Sequence, residues 1–264
     1  IASINLPHWP VTAPSQLYQH VVIAVNHQPV TSSREVYAAI RHLPLGSAIT
    51  YTLEKDGQAS SVTLPSTIFT LQDYGLLFGV YLVNGLALVL IGVSVWLLAP
   101  SNPASLALLA VGLAGGFFAL TAADLYRPHW FFRLHVIGEA FFPAGFIHVA
   151  LVFPVDRFRR YRRGLLAFPY CIALALTVLY QTSLYHPARY SFVHNLCMVY
   201  VGIAGVTLLG AVLWDYRTTD SYFTQRRIFV ILLGFLSGYA FPTILMAASG
   251  VMGGQIAVNY AGFT

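Results

Sequence analysis

From Tyr74 onward the chain is written in apolar runs long enough to cross a lipid bilayer. A helix needs about 20 residues to span the hydrocarbon core. Six runs reach about that length: Tyr74–Leu98, Ala104–Ala122, Phe132–Phe153, Leu165–Leu184, Val193–Leu213 and Ile228–Val251. Charged residues make up 9% of the chain, against about a quarter in a soluble domain. The punctuation agrees: Pro100 and Pro103 lie between the first two runs and Pro154 closes the third, while Trp96, Trp130 and Trp214 sit near run ends, where indole rings favour the membrane interface. Cys171 and Cys197 both lie within runs and read as small buried hydrophobes rather than a disulfide pair.

Charge sets the expected sidedness. The connection after the third run holds Arg157, Arg159, Arg160, Arg162 and Arg163, and the one after the fifth holds Arg217, Arg226 and Arg227; the opposite loops hold only Arg127 and Arg189. Short loops rich in Arg and Lys stay cytoplasmic. The stretch VDRFRRYRRG is therefore expected to anchor on the inner leaflet of the bilayer. Nucleic-acid binders carry their basic residues on a polar surface, and here the cluster lies between two apolar runs, so a nucleic-acid partner is excluded. Residues 1–70 are then expected outside the cytoplasm. The chain begins with Ile and shows no signal peptide, so it reads as a piece of a longer protein, with a seventh run expected beyond Thr264 if an output domain follows.

Residues 1–70 have the composition of a small soluble domain. VVIAVN (21–26) reads as a strand and TSSREVYAAIRH (31–42) as a helix. Ser32 is its expected N-cap, and Glu35 three residues later completes a capping box. Val36, Ile40 and Leu43 share one face of that helix. Ile49, Tyr51 and Leu53 alternate with Thr50, Thr52 and Glu54, the pattern of a half-buried strand, and Asp56-Gly57 is a hairpin turn leading to a partner strand over 61–64.

The segments VVIAVNHQPVTSSREVYAAI, Gly46 and ITYTLEKDG resemble a PDZ domain of bacterial type over about 45 residues. That family has Gly after the Asn that is Asn26 here, whereas this chain has His27, so a reshaped turn is expected. The resemblance implies a peptide groove along Ser32–His42, with Val36 and Ile40 as contacts for an extracellular peptide added as a strand. Residues 1–20 lack the family's glycine-rich carboxylate-binding loop, and a second reading makes the head a spacer or a lid on the helices.

Ionisable groups at membrane depth are functional candidates. Glu139 is the sole acid in the third run and His135 lies one turn before it, so the two are expected to pair. His148 follows at about 900° of helical rotation, on the opposite face. Two readings stand: a polar pocket for a ligand or proton, or one interhelical hydrogen bond that fixes packing. Asp124, Arg127 and His129 sit in the second outer loop, as part of an outward pocket or simply solvated. Asn84 reads as interhelical glue, and His194 as a cap or interfacial residue. Gly75/Gly79, Gly112/Gly116 and Gly234/Gly238 repeat the four-residue spacing of close helix contacts, and Pro143 and Pro242 interrupt their runs. No HExxH, GxSxG or P-loop occurs, nothing fixes a haem-ligating histidine pair, and no cofactor, metal or catalytic set is expected.

PAGFIHVALVFP (143–154), with Pro143, Phe146, His148, Leu151, Phe153 and Pro154 ahead of a basic loop, is similar to the multi-helix input region of bacterial sensor histidine kinases of the quorum-sensing type. The fold expected is an α+β PDZ-like extracytoplasmic domain (1–70) followed by an all-α polytopic transmembrane bundle (71–264) of about six helices. The resemblance implies a multi-pass protein of a bacterial cell membrane that receives a peptide or small-molecule signal, relays it inward, is not itself an enzyme over this stretch, and forms a homodimer. The alternative is a PDZ-assisted membrane transporter or quality-control subunit; no inverted repeat of the kind transporters carry is visible.

Overall fold

The computed structural model describes residues 20–55, 57–68, 70–125, 129–156, 158–184 and 186–235. Asp56, Arg127, Arg157, Gly238, Pro242, residues 1–19 and the sixth run beyond residue 235 lie outside the described residues. The chain divides into two compact units, 1–77 and 78–264, a boundary slightly beyond the change in composition.

The first unit is a small antiparallel sheet with one helix. Strands β1 (Val21–Val25), β2 (Gln28–Pro29), β3 (Ala48–Lys55) and β4 (Gln58–Pro65) lie in the order β2-β1-β3-β4, and helix α1 (Ser33–Ile40) follows β2. Ile49 and Leu53 are buried on one face of β3, as the alternation predicts. The return strand β4 pairs with β3 from Lys55↔Gln58 to Ala48↔Pro65, longer at both ends than expected. At the β1–β2 turn His27 takes up the left-handed conformation that Gly adopts without cost: φ is 47° at Asn26 and 68° at His27. Two positive φ values in a two-residue loop are what a type I′ hairpin requires, so Asn26 and His27 close a regular hairpin turn between β1 and β2. Asn26 fixes it, its N–H donating to the Thr50 carbonyl at 2.7 Å while its Oδ1 accepts from the Thr50 N–H at 2.9 Å.

Helix α1 starts where the capping residues require. Ser32 Oγ accepts from the Glu35 N–H. The Glu35 carboxylate reaches one residue further back than a standard capping box and accepts from the Thr31 N–H at 2.7 Å. That backbone bond is the main reason the Glu35 carboxyl lies below its ordinary 4.5. A carboxyl lowered in the folded state stabilises it above the unfolded range and loses that contribution as pH falls. Hydrogen-exchange protection factors of the first turn of α1, measured in the full chain, should fall as pH drops through the carboxylate range. Glu35→Gln should remove that pH dependence.

The second unit is a helical bundle. Among the described residues, five helical stretches are long and apolar enough to cross a membrane: the Phe78–Leu98 part of α2 (Leu71–Leu98), α3 (Pro103–Leu120), α4 (Phe132–Val152), α5 (Arg162–Ser183) and the Ala188–Thr218 part of α6 (Pro187–Thr218). This is the pattern of a multi-pass membrane protein. A further helix, α7 (Tyr222–Phe235), opens the sixth run. The fifth helix is much longer than the run Val193–Leu213 suggests, because Pro187 starts it at N1, where proline is tolerated. Large apolar side chains such as Leu86 and Leu90 on α2, Phe168 and Val178 on α5, and Ile203 and Val206 on α6 face outward, as a lipid-facing surface requires. Cys171 is exposed with them, contrary to the expectation of burial, whereas Cys197 is fully buried. Asn84, expected between helices, is also exposed.

Helix α4 is the hub, packed against α3, α5 and α6. Its side chains feed two buried clusters: Val136, Ala140 and Ala144 with Tyr180, Val193 and Cys197, and Phe146 and Ala150 with Ala204, Leu208 and Val212. The pairings run antiparallel with α5 (Glu139 to Tyr180, His148 to Tyr170) and parallel with α6 (Glu139 to His194, Ala150 to Leu208). The C-terminal ends of α4 and α6 therefore share one end of the bundle with the arginine-rich connections, and Glu139 lies toward the other end.

Glycine sets the helix spacing, in an arrangement the four-residue motif catches only in part. A Cβ at Gly75 or Gly79 would meet nothing within 4 Å, whereas one at Gly112 would come within 2.5 Å of the Leu88 carbonyl oxygen and 3.0 Å of the Gly92 Cα. On the other side of α3, a Cβ at Gly138 would lie 2.7 Å from the Ala114 carbonyl oxygen, and one at Gly145 3.1 Å from the Val111 nitrogen. Gly85 and Gly92 on α2, and Gly138 and Gly145 on α4, are thus spaced by seven residues. α3 lies between two glycine-lined faces, which brings the backbones close.

Candidate functional site

The polar groups of the bundle fall into separate places. At the centre of the far end, opposite the arginine loops, is Glu139, 2% exposed. It lies seven residues into α4, about 10 Å along the helix axis. The phenol of Tyr180 on α5 donates to its Oε1 at 2.6 Å, and His194 Nδ1 on α6 lies 2.8 Å from the same oxygen. Tyr180 and His194 are themselves 3.3 Å apart. One carboxylate oxygen therefore joins three helices. The second, Oε2, is buried and has no hydrogen-bond partner among the described residues.

His135 does not make the expected bond to Glu139. Its Nδ1 lies 3.1 Å from Thr121 Oγ1, and its ring stacks on Phe118 at 4.6 Å between centroids. Thr121 Oγ1 already donates to the Phe117 carbonyl. The Thr121 hydroxyl therefore links the His135 ring to the backbone of α3. The i, i+4 spacing of His135 and Glu139 puts them on one face, but α3 offers the histidine a nearer partner.

Asp124 is neither solvated nor open to a pocket. It is buried in the 3-10 turn Ala122–Leu125, and its two oxygens accept from the Trp130 and Phe131 N–H groups at 3.0 and 2.7 Å. Those amides begin α4, whose N-terminal N–H groups lack helical partners, so Asp124 caps the hub helix from the preceding turn. His129 bonds the Leu125 carbonyl at 3.0 Å in the same loop.

His148 stands nine residues further along α4 than Glu139, about 13 Å toward the arginine end. Its Nδ1 meets the Tyr170 hydroxyl at 3.0 Å. Helical rotation sets it on the opposite side from Glu139, yet both side chains end on α5 phenols, Tyr170 and Tyr180, with Pro143 between them in α4.

In the arginine loop, Arg159, Arg160 and Arg163 are exposed. Arg162 is held by Asp156 at 2.7 Å, which takes it out of the set expected to be free for head groups. Arg160 and Arg226 lie over the rings of Tyr161 and Tyr222 at 5.6 and 4.9 Å. Phe158, Tyr161, Trp214 and Phe223 are exposed near the same end.

In the head, Val36 and Ile40 pack with Ala39 and Leu43 against the buried Val25, Val30 and Ile49. The two residues expected to line a peptide groove are half-buried against the head's own core.

Sequence reading missed Tyr180 and His194 as partners of Glu139. The available signal was an acid at membrane depth with two polar aromatic side chains at matching depth on later runs. No protein family, curated protein or solved structure matches the chain, so its own residues carry the functional reading.

Proposed function

We propose that this chain is the membrane-embedded input module of a signalling protein, with the Glu139–Tyr180–His194 cluster as its receiving point. The observation that carries the reading is a buried carboxylate at membrane depth, held on one oxygen by two helices and free on the other. Packing alone needs no ionisable group there, and such residues mark function by default. The cluster ties α4 to α5 and α6. Along α4 the same helix leads to His148 and then to the arginine-rich loop. A signal that binds one arrangement of these helices better than another shifts their populations by that difference in affinity. In this proposal the arginine loops lie at the cytoplasmic leaflet, with exposed Arg159, Arg160 and Arg163 on anionic head groups, and the head and the Glu139 end lie outside. An isolated spacer or a static packing contact would not need a path from the carboxylate to that loop.

The test uses the full chain in lipid nanodiscs, with Cys171 and Cys197 replaced and spin labels at Arg163→Cys on α5 and Arg217→Cys on α6. Glu139→Gln keeps the shape and removes the charge. If the cluster controls the helix arrangement, the ratio of label-distance populations changes by about fivefold or more, the usual lower range of allosteric coupling. Tyr180→Phe, a milder change, moves it in the same direction. Identical distance distributions in all three proteins contradict the reading.

A further inference from the structure

We infer that one face of α2, centred on Asn84, is the surface on which two copies of this chain pair within the membrane. The surface lies on a different helix from the Glu139 cluster, and the inference stands or falls independently of it. Asn84 belongs to the membrane-crossing part of α2, Phe78–Leu98, about 9 Å from its start and about 21 Å from its end. Its side chain is exposed and has no hydrogen-bond partner among the described residues. A carboxamide carries two N–H donors and an acceptor oxygen. Hydrocarbon tails offer these groups no partner, and leaving them unmet is costly.

The rest of that face fits a helix better than it fits lipid. Val80, Asn84, Ala87, Ile91, Ser94 and Leu98 are all exposed and follow one another at alternating steps of four and three residues. This is the seam of a two-stranded coiled coil. The exposed residues beside the seam, Val83, Leu86, Leu90 and Leu97, are all large and apolar, as lipid contact favours. The polar and small exposed residues of the span, Asn84, Ala87 and Ser94, all fall on the seam, and small side chains let helix backbones approach. Gly85 and Gly92, which meet α3, lie about 130° round α2 from the seam, so α3 leaves it open.

A second copy is the occupant that matches this chemistry. Copies inserted in one membrane share one orientation, so two α2 helices meet in parallel with equal residues at equal depth. A two-fold axis along the seam then sets Asn84 against its counterpart. The carboxamide is its own complement, and each donates an N–H to the oxygen of the other. No charged residue lies on the seam to repel its counterpart. A single Asn at such a position fixes register and strand number in parallel coiled coils. Lipid would cover the apolar residues and leave Asn84 unmet, and a different protein would have to supply a polar group at the same depth.

The full chain, with Cys171 and Cys197 replaced, is reconstituted in phosphatidylcholine vesicles, and single cysteines are oxidised with copper phenanthroline. Ala87→Cys and Ser94→Cys, on the seam, are expected to cross-link two copies. Leu86→Cys, about 120° round the helix, is not. Energy transfer between donor- and acceptor-labelled copies, followed as added lipid dilutes the protein, gives the dissociation constant. Asn84→Ala should raise that constant about 5- to 30-fold, the range of polar bonds between model membrane helices. Asn84→Gln, which keeps the carboxamide, should restore most of the affinity. Neither cross-link nor energy transfer at any dilution, equal cross-linking from all three positions, or an unchanged constant in Asn84→Ala overturns the inference. Cross-linking in native membranes to a different protein, with none between copies, also overturns it. If Asn84→Ala fails to fold, the cross-linking pattern of the three cysteine variants decides.

Discussion

Replacing Gly138 with leucine should prevent the bundle from assembling. A single Cβ at this position already lies 2.7 Å from the Ala114 carbonyl oxygen and 2.8 Å from the Phe118 nitrogen. Both are backbone atoms of α3, so no side chain can rotate away, and α3 and α4 must separate. Overpacking a well-filled interior costs about 1–3 kcal/mol and sometimes more. We expect alanine to fall within that range and leucine beyond it, because α4 is the hub against which α3, α5 and α6 pack. Gly210→Leu on the exposed face of α6 is the control, since its Cβ would meet nothing within 4 Å. Size-exclusion profiles in detergent should show aggregation for Gly138→Leu and a normal peak for Gly210→Leu. Two normal peaks would mean that the α3–α4 contact is not the close one described.

Tyr180→Phe should cost more than Tyr200→Phe, although both remove one hydroxyl from the interior. Tyr200 donates to the neutral Pro169 carbonyl at 2.9 Å, whereas Tyr180 donates to the Glu139 carboxylate at 2.6 Å. Interhelical hydrogen bonds within membranes average about 0.6 kcal/mol, which is the expectation for Tyr200→Phe. A bond to a charged group contributes about 1.5–3 kcal/mol, and Glu139 has few donors to replace the lost one. We expect about 1.5–2 kcal/mol for Tyr180→Phe, read from unfolding midpoints in mixed micelles with rising denaturing detergent. Equal costs for the two variants would mean that the carboxylate carries no charge in the folded protein.

The elements of the fold were largely legible because their signals are local. Ser32 and Glu35 mark the start of α1 within four residues of sequence, and the alternation about Tyr51 marks β3. Helices α2 to α5 follow the apolar runs closely because length and hydropathy alone define a span. The site was less legible because its contacts are not local. Tyr180 reaches Glu139 across 41 positions, and His194 comes from farther still. A single helical wheel therefore paired Glu139 with His135, the nearest polar residue in sequence, and missed the partners that tertiary packing supplies. Asp124 misled for a similar reason: an acid in a polar loop reads as solvated until the helix it caps is in view. The seven-residue glycine spacing on α2 and α4 fell outside the four-residue pattern, although both bring backbones together by the same removal of Cβ atoms.

Glu139 Oε1 as the atom on which α4, α5 and α6 meet is the claim on which the functional account depends. A double-mutant cycle between Tyr180→Phe and His194→Asn, with unfolding free energies measured in one lipid mixture, tests it directly. Groups that share a hydrogen-bonded partner couple by about 0.5–3 kcal/mol, so the double variant should depart from the sum of the single ones by at least ~0.5 kcal/mol. Costs that add to within ~0.3 kcal/mol, as for sites with no common partner, would show that the two side chains act separately and would contradict the account.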